Sequence, residues 1–254
     1  MIKNSLASCL TGLGEVYELV KREVTTRGYY NEIVWQASQD FEGVSESDLL
    51  KESAWVILCS GFKESVIRRK FSYLSLCFCD WQSASEIVAC KDVCRDTALK
   101  SFGHKGKIDA ILKTAELIEE KGFAKIKKEI KSSPLESLKQ FPYIGDITAW
   151  HLAKNLGIPV AKPDRHLVRL AKIMGYHDVQ RFCGDVAEIS GDAIQVVDIV
   201  FWRYASLVDD LSIFINMKHS ADTDNYQRII RDGPLFLPQR NNPSSALSSS
   251  LKDH

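Results

Sequence analysis

The sequence predicts an all-α fold. Apolar residues recur at a period near 3.6, clean alternation of apolar and polar residues is rare, and helix-interrupting Gly and Pro number only 14 and 7 among 254 residues. A chain that is 45% hydrophobic and 26% charged buries a core, which excludes collagen-like, mucin-like and globally disordered classes. Its length allows one large or two small domains.

The periodicity places helices near 8–26, 30–40, 46–59, 64–79, 83–90, 92–100, 105–121, 123–130, 134–140, 147–156, 164–174, 178–190 and 191–206. The most apolar stretches, 53–62 and 71–79, end the third and fourth helices and fall short of the roughly 18 residues of a membrane span. Residues 121–131 form a Lys-rich helix of solvated character. Leu135, Leu138 and Phe141 give the ninth helix one short apolar stripe, Pro142 to Gly145 interrupt it, and Ala149, Leu152, Ala153 and Leu156 resume it in the tenth. This is an αα-hairpin whose turn is expected to need Gly145 for backbone freedom. Asp164 follows Pro163 as an N-cap, and Leu167, Leu170, Ala171 and Met174 line one face of the next helix. Modest helices, short loops and no fixed repeat describe one helical globule over 1–238, with a flexible Ser-rich tail at 239–254.

Without a span or a leader-like apolar segment near residue 1, a soluble intracellular protein is expected, cytoplasmic, and nucleoid-associated if bacterial. The 7 cysteines lack a disulfide framework. Cys77-x-Cys79 and Cys90-x3-Cys94 have zinc-like spacing, but the first pair is set in apolar sequence without turn signals, so reduced, buried structural thiols are expected, with no metal. Formal net charge is zero, yet residues 100–175 carry 15 Lys and Arg against 8 Asp and Glu. That segment is either a footprint for a polyanion or a solvated Lys-rich face.

At the start of the second hairpin helix, the amides of about Gly145 to Thr148 have no intrahelical acceptor and present the positive end of the helix dipole. A nucleic-acid phosphate fits there, contacted without reading sequence; an ordinary corner capped by Asp146 or Thr148 is the alternative. Asp164 follows after one helix and a short Gly157/Pro159 loop. A carboxylate near phosphates is unfavourable unless it is used, for instance to stabilise positive charge developing on a sugar, and its alternative role is plain capping.

The pattern Leu138-x-x-Phe141-Pro142-Tyr143-Ile144-Gly145-x-x-Thr148-Ala149, then 13 residues to Pro163-Asp164-Arg165-His166-Leu167, resembles the helix-hairpin-helix and catalytic aspartate of the HhH-GPD superfamily of base-excision DNA glycosylases. Three further segments extend the resemblance over about 30–207: Glu52 to Phe71, Gly103 to Ala110, and Val197 to Ala205. It implies a two-lobed helical glycosylase fold. A middle lobe holds the hairpin (134–156, with the catalytic-loop region at 157–174), and N- and C-terminal helices form the second lobe. The partner implied is double-stranded DNA containing a damaged base, bound by a monomer without membrane association or cofactor. Asp164 is then catalytic, Tyr143, Gly145, Ile147 and Thr148 bind phosphate, and Trp55, Phe62, Lys63 and Trp202 are candidates for base pocket or wedge. His166 is either a phosphate contact or a surface residue.

Two departures shape the chemistry expected. Members that cut the DNA backbone carry a lysine where this chain has Ile147, so a hydrolytic, monofunctional glycosylase without lyase activity is implied, unless Lys154 or Lys162 supplies the amine. Cluster-bearing members carry four late cysteines, whereas the last here is Cys183. Tyr143 occupies the position of the usual first hairpin glycine, where it either crowds a phosphate or stacks on sugar. An alkylated purine is the favoured substrate, with an oxidised purine or a mismatched base as alternatives. The competing readings are a non-catalytic helix-hairpin-helix DNA-binding protein and an α-helical interaction module.

Overall fold

The computed structural model describes residues 2–215, with side chains from Gly12 onward. The described residues are helical and contain no strand, and none of their helices is long and apolar enough to cross a membrane. The expected tail at 239–254, and the domain beyond residue 215, lie outside the described residues.

The helices are α1 (Ile2–Val24), α2 (Tyr30–Ala37), α3 (Glu46–Cys59), α4 (Glu64–Cys77), α5 (Ala84–Ala89), α6 (Lys91–Ser101) and α7 (Lys105–Lys121). They continue as α8 (Phe123–Ser132), α9 (Pro134–Leu138), α10 (Asp146–Asn155), α11 (Arg165–Ile173), α12 (Val179–Ser190) and α13 (Ile194–Leu207). Local chemistry accounts for many of the boundaries. Ser45 and Asp48 form a capping box at the start of α3, Ser83 caps α5, the His104 ring caps α7, and Asp178 caps α12. Pro134 opens α9, where a missing amide costs nothing. Expected and observed bounds coincide for α3 and α7.

Two departures have identifiable causes. α1 passes into α2 through a π-helical kink at Thr25–Tyr29, permitted by Gly28 at φ +92°. α4 stops two residues short of expectation because Cys79, Asp80 and Trp81 all adopt left-handed φ values of +56°, +48° and +61°. Each such residue costs about 1–2 kcal/mol. Trp81 offsets this: its ring is buried, stacked on Phe78 at 5.1 Å, and its indole N–H donates to Ser75 Oγ at 2.8 Å.

The buried side chains form two apolar cores. One draws on residues from Phe41 to Ile158, carried by α3 to α10. The other combines Leu13 to Ile33 of the N-terminal helices with Ala161 to Phe214 of α11 to α13 and beyond. Tyr17 and Lys21 of α1 both donate to Asp192 Oδ2, at 2.5 and 2.6 Å, tying the chain's two ends within this second core.

The chain crosses between the cores at 38–40 and at 157–163, and these crossings touch. A Cβ on Gly157, at φ +82°, would lie 2.7 Å from the Asp40 amide nitrogen, so only glycine fits there. Gln36 Nε2 donates to the Lys154 carbonyl at 2.8 Å beside this contact.

Candidate nucleic-acid interface

The expected helix pair is present as α9, a turn, and α10. Leu138, Phe141, Ala149, Leu152, Ala153 and Leu156 are all buried in the first core, so the stripe read from spacing is the face that packs. Phe141 N–H donates to the Leu138 carbonyl and Ile144 N–H to that of Phe141, each at 3.1 Å.

The turn differs from expectation at one residue. The left-handed position is Tyr143, at φ +65°, whereas Gly145 is extended at φ −105° and a Cβ there would meet nothing. Gly145 is therefore not required for backbone freedom. Its amide is also taken, because it donates to Thr148 Oγ1 at 2.7 Å. The amides of Asp146, Ile147 and Thr148 occupy the first three helical positions, where no intrahelical acceptor exists. Gly145, Asp146 and Ile147 are exposed around them. The Asp146 carboxylate would repel an anion, but Lys139 Nζ pairs with it at 2.8 Å and holds its carboxyl below the ordinary carboxylate value.

Tyr143 is not isolated. Its ring lies 5.2 Å from the ammonium of Lys107, and that ammonium lies 5.5 Å from the ring of Phe62, in the loop between α3 and α4. His104 stands between them, 6.3 Å from Tyr143 and 5.9 Å from Phe62. Three separate segments thereby make one surface, on which Phe62 and Tyr143 are 40% and 46% exposed. Lys107 is buried beneath it and donates to the Ile57 carbonyl, and burial lowers the pKa of its ammonium. Gly106 makes the approach possible, since a Cβ there would lie 2.5 Å from the Tyr143 hydroxyl. Sequence reasoning missed His104 and Lys107 as members of this surface. The signal was a glycine flanked by basic residues at the start of α7.

Asp164 caps α11. Its Oδ1 accepts from the amides of His166 at 2.9 Å and Leu167 at 3.1 Å, so the capping role is real. Oδ2 has no hydrogen bond among the described residues, and the side chain is half-buried. Capping thus occupies one oxygen and leaves the second able to accept.

The loop carrying Asp164 is held by a buried carboxylate that sequence reasoning also missed. Asp198 of α13 accepts from Lys154 Nζ at 2.5 Å and from the Lys162 amide at 2.6 Å. Its signal was an acidic residue inside the apolar run Val196 to Phe201. Lys154 is therefore committed to a buried ion pair. Lys162 is half-buried with Nζ 3.5 Å from His151 Nδ1; burial lowers the pKa of its ammonium and the Asp164 carboxylate opposes that. Burial and the charges of Lys162 and Lys154 hold the His151 imidazole well below its ordinary value, hence neutral.

Comparison with known proteins yields no match: no family model fits the chain, and no curated protein or solved structure is detectably similar to it.

The remaining expected residues are dispersed. Lys63 is exposed at the start of α4. Trp55 and Trp202 are both half-buried and each stacks with an arginine: Trp55 meets Phe71 edge-on at 5.0 Å with Arg68 at 5.7 Å, and Trp202 lies 4.7 Å from the Arg203 guanidinium. Both arginines line a cavity of about 430 Å³, together with Tyr29, Glu32, Glu64, Ser65 and Arg69. Glu32 clamps Arg203 through both oxygens, at 2.9 and 2.8 Å, and also takes Arg68 at 3.0 Å. Since Glu32 and Arg203 come from helices beside the second core, and Glu64 and Arg68 from α4, this cavity opens where the two cores meet. Cys59 links it to the Asp164 loop, because its thiol, pushed up to about 12 by burial, feels Glu64 and Arg68 as well as Lys162 and Lys107.

Proposed function

We propose that this protein is a base-excision DNA glycosylase that extrudes a damaged base and hydrolyses its N-glycosidic bond. The observation that carries this reading is the proximity of three things: an exposed aromatic surface at the hairpin turn, a charged cavity between two cores, and Asp164 with one unengaged carboxylate oxygen. The two cores are what a two-lobed glycosylase fold requires, with the flipped base entering between them. Phosphate is held at the amides of Asp146, Ile147 and Thr148, while Tyr143 stacks on sugar and Phe62 fills the gap left in the helix.

As the bond to the base stretches, the sugar gains oxocarbenium character. Asp164 Oδ2 stabilises that charge and orients the attacking water, while Oδ1 stays with its two amides and keeps the side chain in place. A cavity of this size accepts one purine, and an alkylated purine is the first substrate to test, beside an oxidised purine and a mismatched base. Duplexes each bearing one lesion, assayed for free base, test the reading. DNA binding without release from any of them favours a non-catalytic DNA-binding protein, and no binding at all leaves an interaction module.

A second reading of the chemistry concerns Lys162. Its half-buried ammonium of lowered pKa, beside neutral His151 and the Asp164 carboxylate, favours it over Lys154 as a nucleophile toward the sugar. Trapping by borohydride separates it from hydrolysis.

A further inference from the structure

The turn after α4 brings together cysteines that are distant from the hairpin and unused by the proposed reaction. Cys77 is buried at the end of α4, Cys79 is half-buried in the left-handed turn, Cys90 is exposed at the junction of α5 and α6, and Cys94 is buried one turn further along α6. The Cys94 S–H donates to the Cys79 sulfur, and the Cys79 S–H donates to that of Cys90, a relay running from the core to solvent. The relay is held from both sides. Trp81, two residues after Cys79, is stacked between Phe71 and Phe78, and Cys94 N–H donates to the Cys90 carbonyl at 2.9 Å.

Thiols serving only to pack would all be buried, whereas this relay ends in solvent at Cys90. Among the described residues no three Cys, His, Asp or Glu side chains are arranged to hold a metal ion, so the contacts favour pairwise chemistry.

We propose that Cys90, Cys79 and Cys94 form a reversible oxidation site for hydroperoxides, closing a disulfide between Cys79 and Cys90. Cys90, the accessible thiol, attacks the peroxide: the O–O bond breaks, the sulfur becomes a sulfenic acid, and one alcohol or water leaves. The Cys79 sulfur, as thiolate, then attacks the sulfenic sulfur. Water departs with the Cys79 proton, and the two thiols have together lost two electrons to the peroxide. Cys94 positions this step: burial pushes its own thiol up to about 12, so it stays a donor, and its hydrogen bond favours the thiolate of Cys79 against the burial that raises it.

The full chain treated with hydrogen peroxide, alkylated and mapped by peptide mass spectrometry tests the proposal. A Cys79–Cys90 link that dithiothreitol reverses is expected. The exposed Cys90→Ser change keeps the fold and should abolish the link, leaving Cys79 alkylatable. Cys94→Ser should slow closure, so that a sulfenic acid on Cys90 accumulates and is captured by dimedone. Cys90 advancing to sulfinic acid while Cys79 remains a thiol would overturn the proposal. So would zinc that copurifies with the wild type and is lost in Cys79→Ser and Cys90→Ser.

Discussion

Lys154 of α10 and Asp198 of α13 meet at 2.5 Å with side chains only 5% and 2% exposed, joining the hairpin of one core to the last helix of the other. Removing one member leaves the other charged and unpaired in the interior, which costs about 3–5 kcal/mol. Asp198→Ala should therefore lower unfolding free energy by that amount in chemical denaturation. Lys154→Met combined with Asp198→Leu should recover most of it. Wild-type stability in the single variant would show that the pair does not hold the cores together.

Asp164 has two roles that different substitutions separate. Asn also caps helices, so Asp164→Asn should keep stability close to wild type, nearly abolish base release, and keep or raise DNA affinity by removing a negative charge near phosphate. Asp164→Ala should lose activity and a further ~1 kcal/mol of stability. Base release by the Asn variant equal to wild type would leave Asp164 as a cap only.

Gly145→Val should fold normally, because the backbone there is extended and the new Cβ enters open space. Its branched side chain stands beside the free amides of α10, so binding to lesion-bearing and undamaged duplexes should fall equally. A loss confined to the lesion duplex, read by fluorescence anisotropy, would move this turn from phosphate contact to base recognition.

Strand cleavage separates the two chemistries. With Ile147 in place of a lysine, the product should be an intact abasic strand that breaks only on alkali or heat. Borohydride during turnover should then trap no adduct. An adduct that disappears in Lys162→Met would establish Lys162 as the nucleophile, and Lys154 is excluded from comparison by its ion pair.

Glu52 sets a pH dependence of stability. Burial raises its carboxyl from 4.5 to about 7, although Asn155 donates to it at 2.9 Å and opposes the shift. Between those values the unfolded chain releases this proton and the folded chain keeps it, so the group's contribution falls as pH rises through the window. The whole effect is about 3 kcal/mol at most. Denaturation of wild type and Glu52→Gln at several pH values should show the wild type losing stability relative to the variant from pH 4.5 to about 7, then running parallel. Parallel behaviour throughout would place Glu52 in water.

The all-helical character, most helix bounds, the hairpin stripe and the Asp164 cap could all be read from residue order, because capping and amphipathic packing depend on neighbours within one or two turns. The bounds of α3 followed from Ser45 and Asp48 alone. Spacing also pointed to the free amides of α10, but it misplaced the left-handed residue of the turn: glycine has the intrinsic preference for such a conformation, yet Tyr143 adopts it while its ring contacts Lys107 and His104. The tertiary structure alone decided which distant segments meet. The surface of Phe62, His104 and Tyr143, the hold of Asp198 on the loop bearing Asp164, and the cysteine relay each join side chains from separate elements. Local periodicity carries no information about such pairs, because burial rather than sequence separation determines which polar groups must find one another.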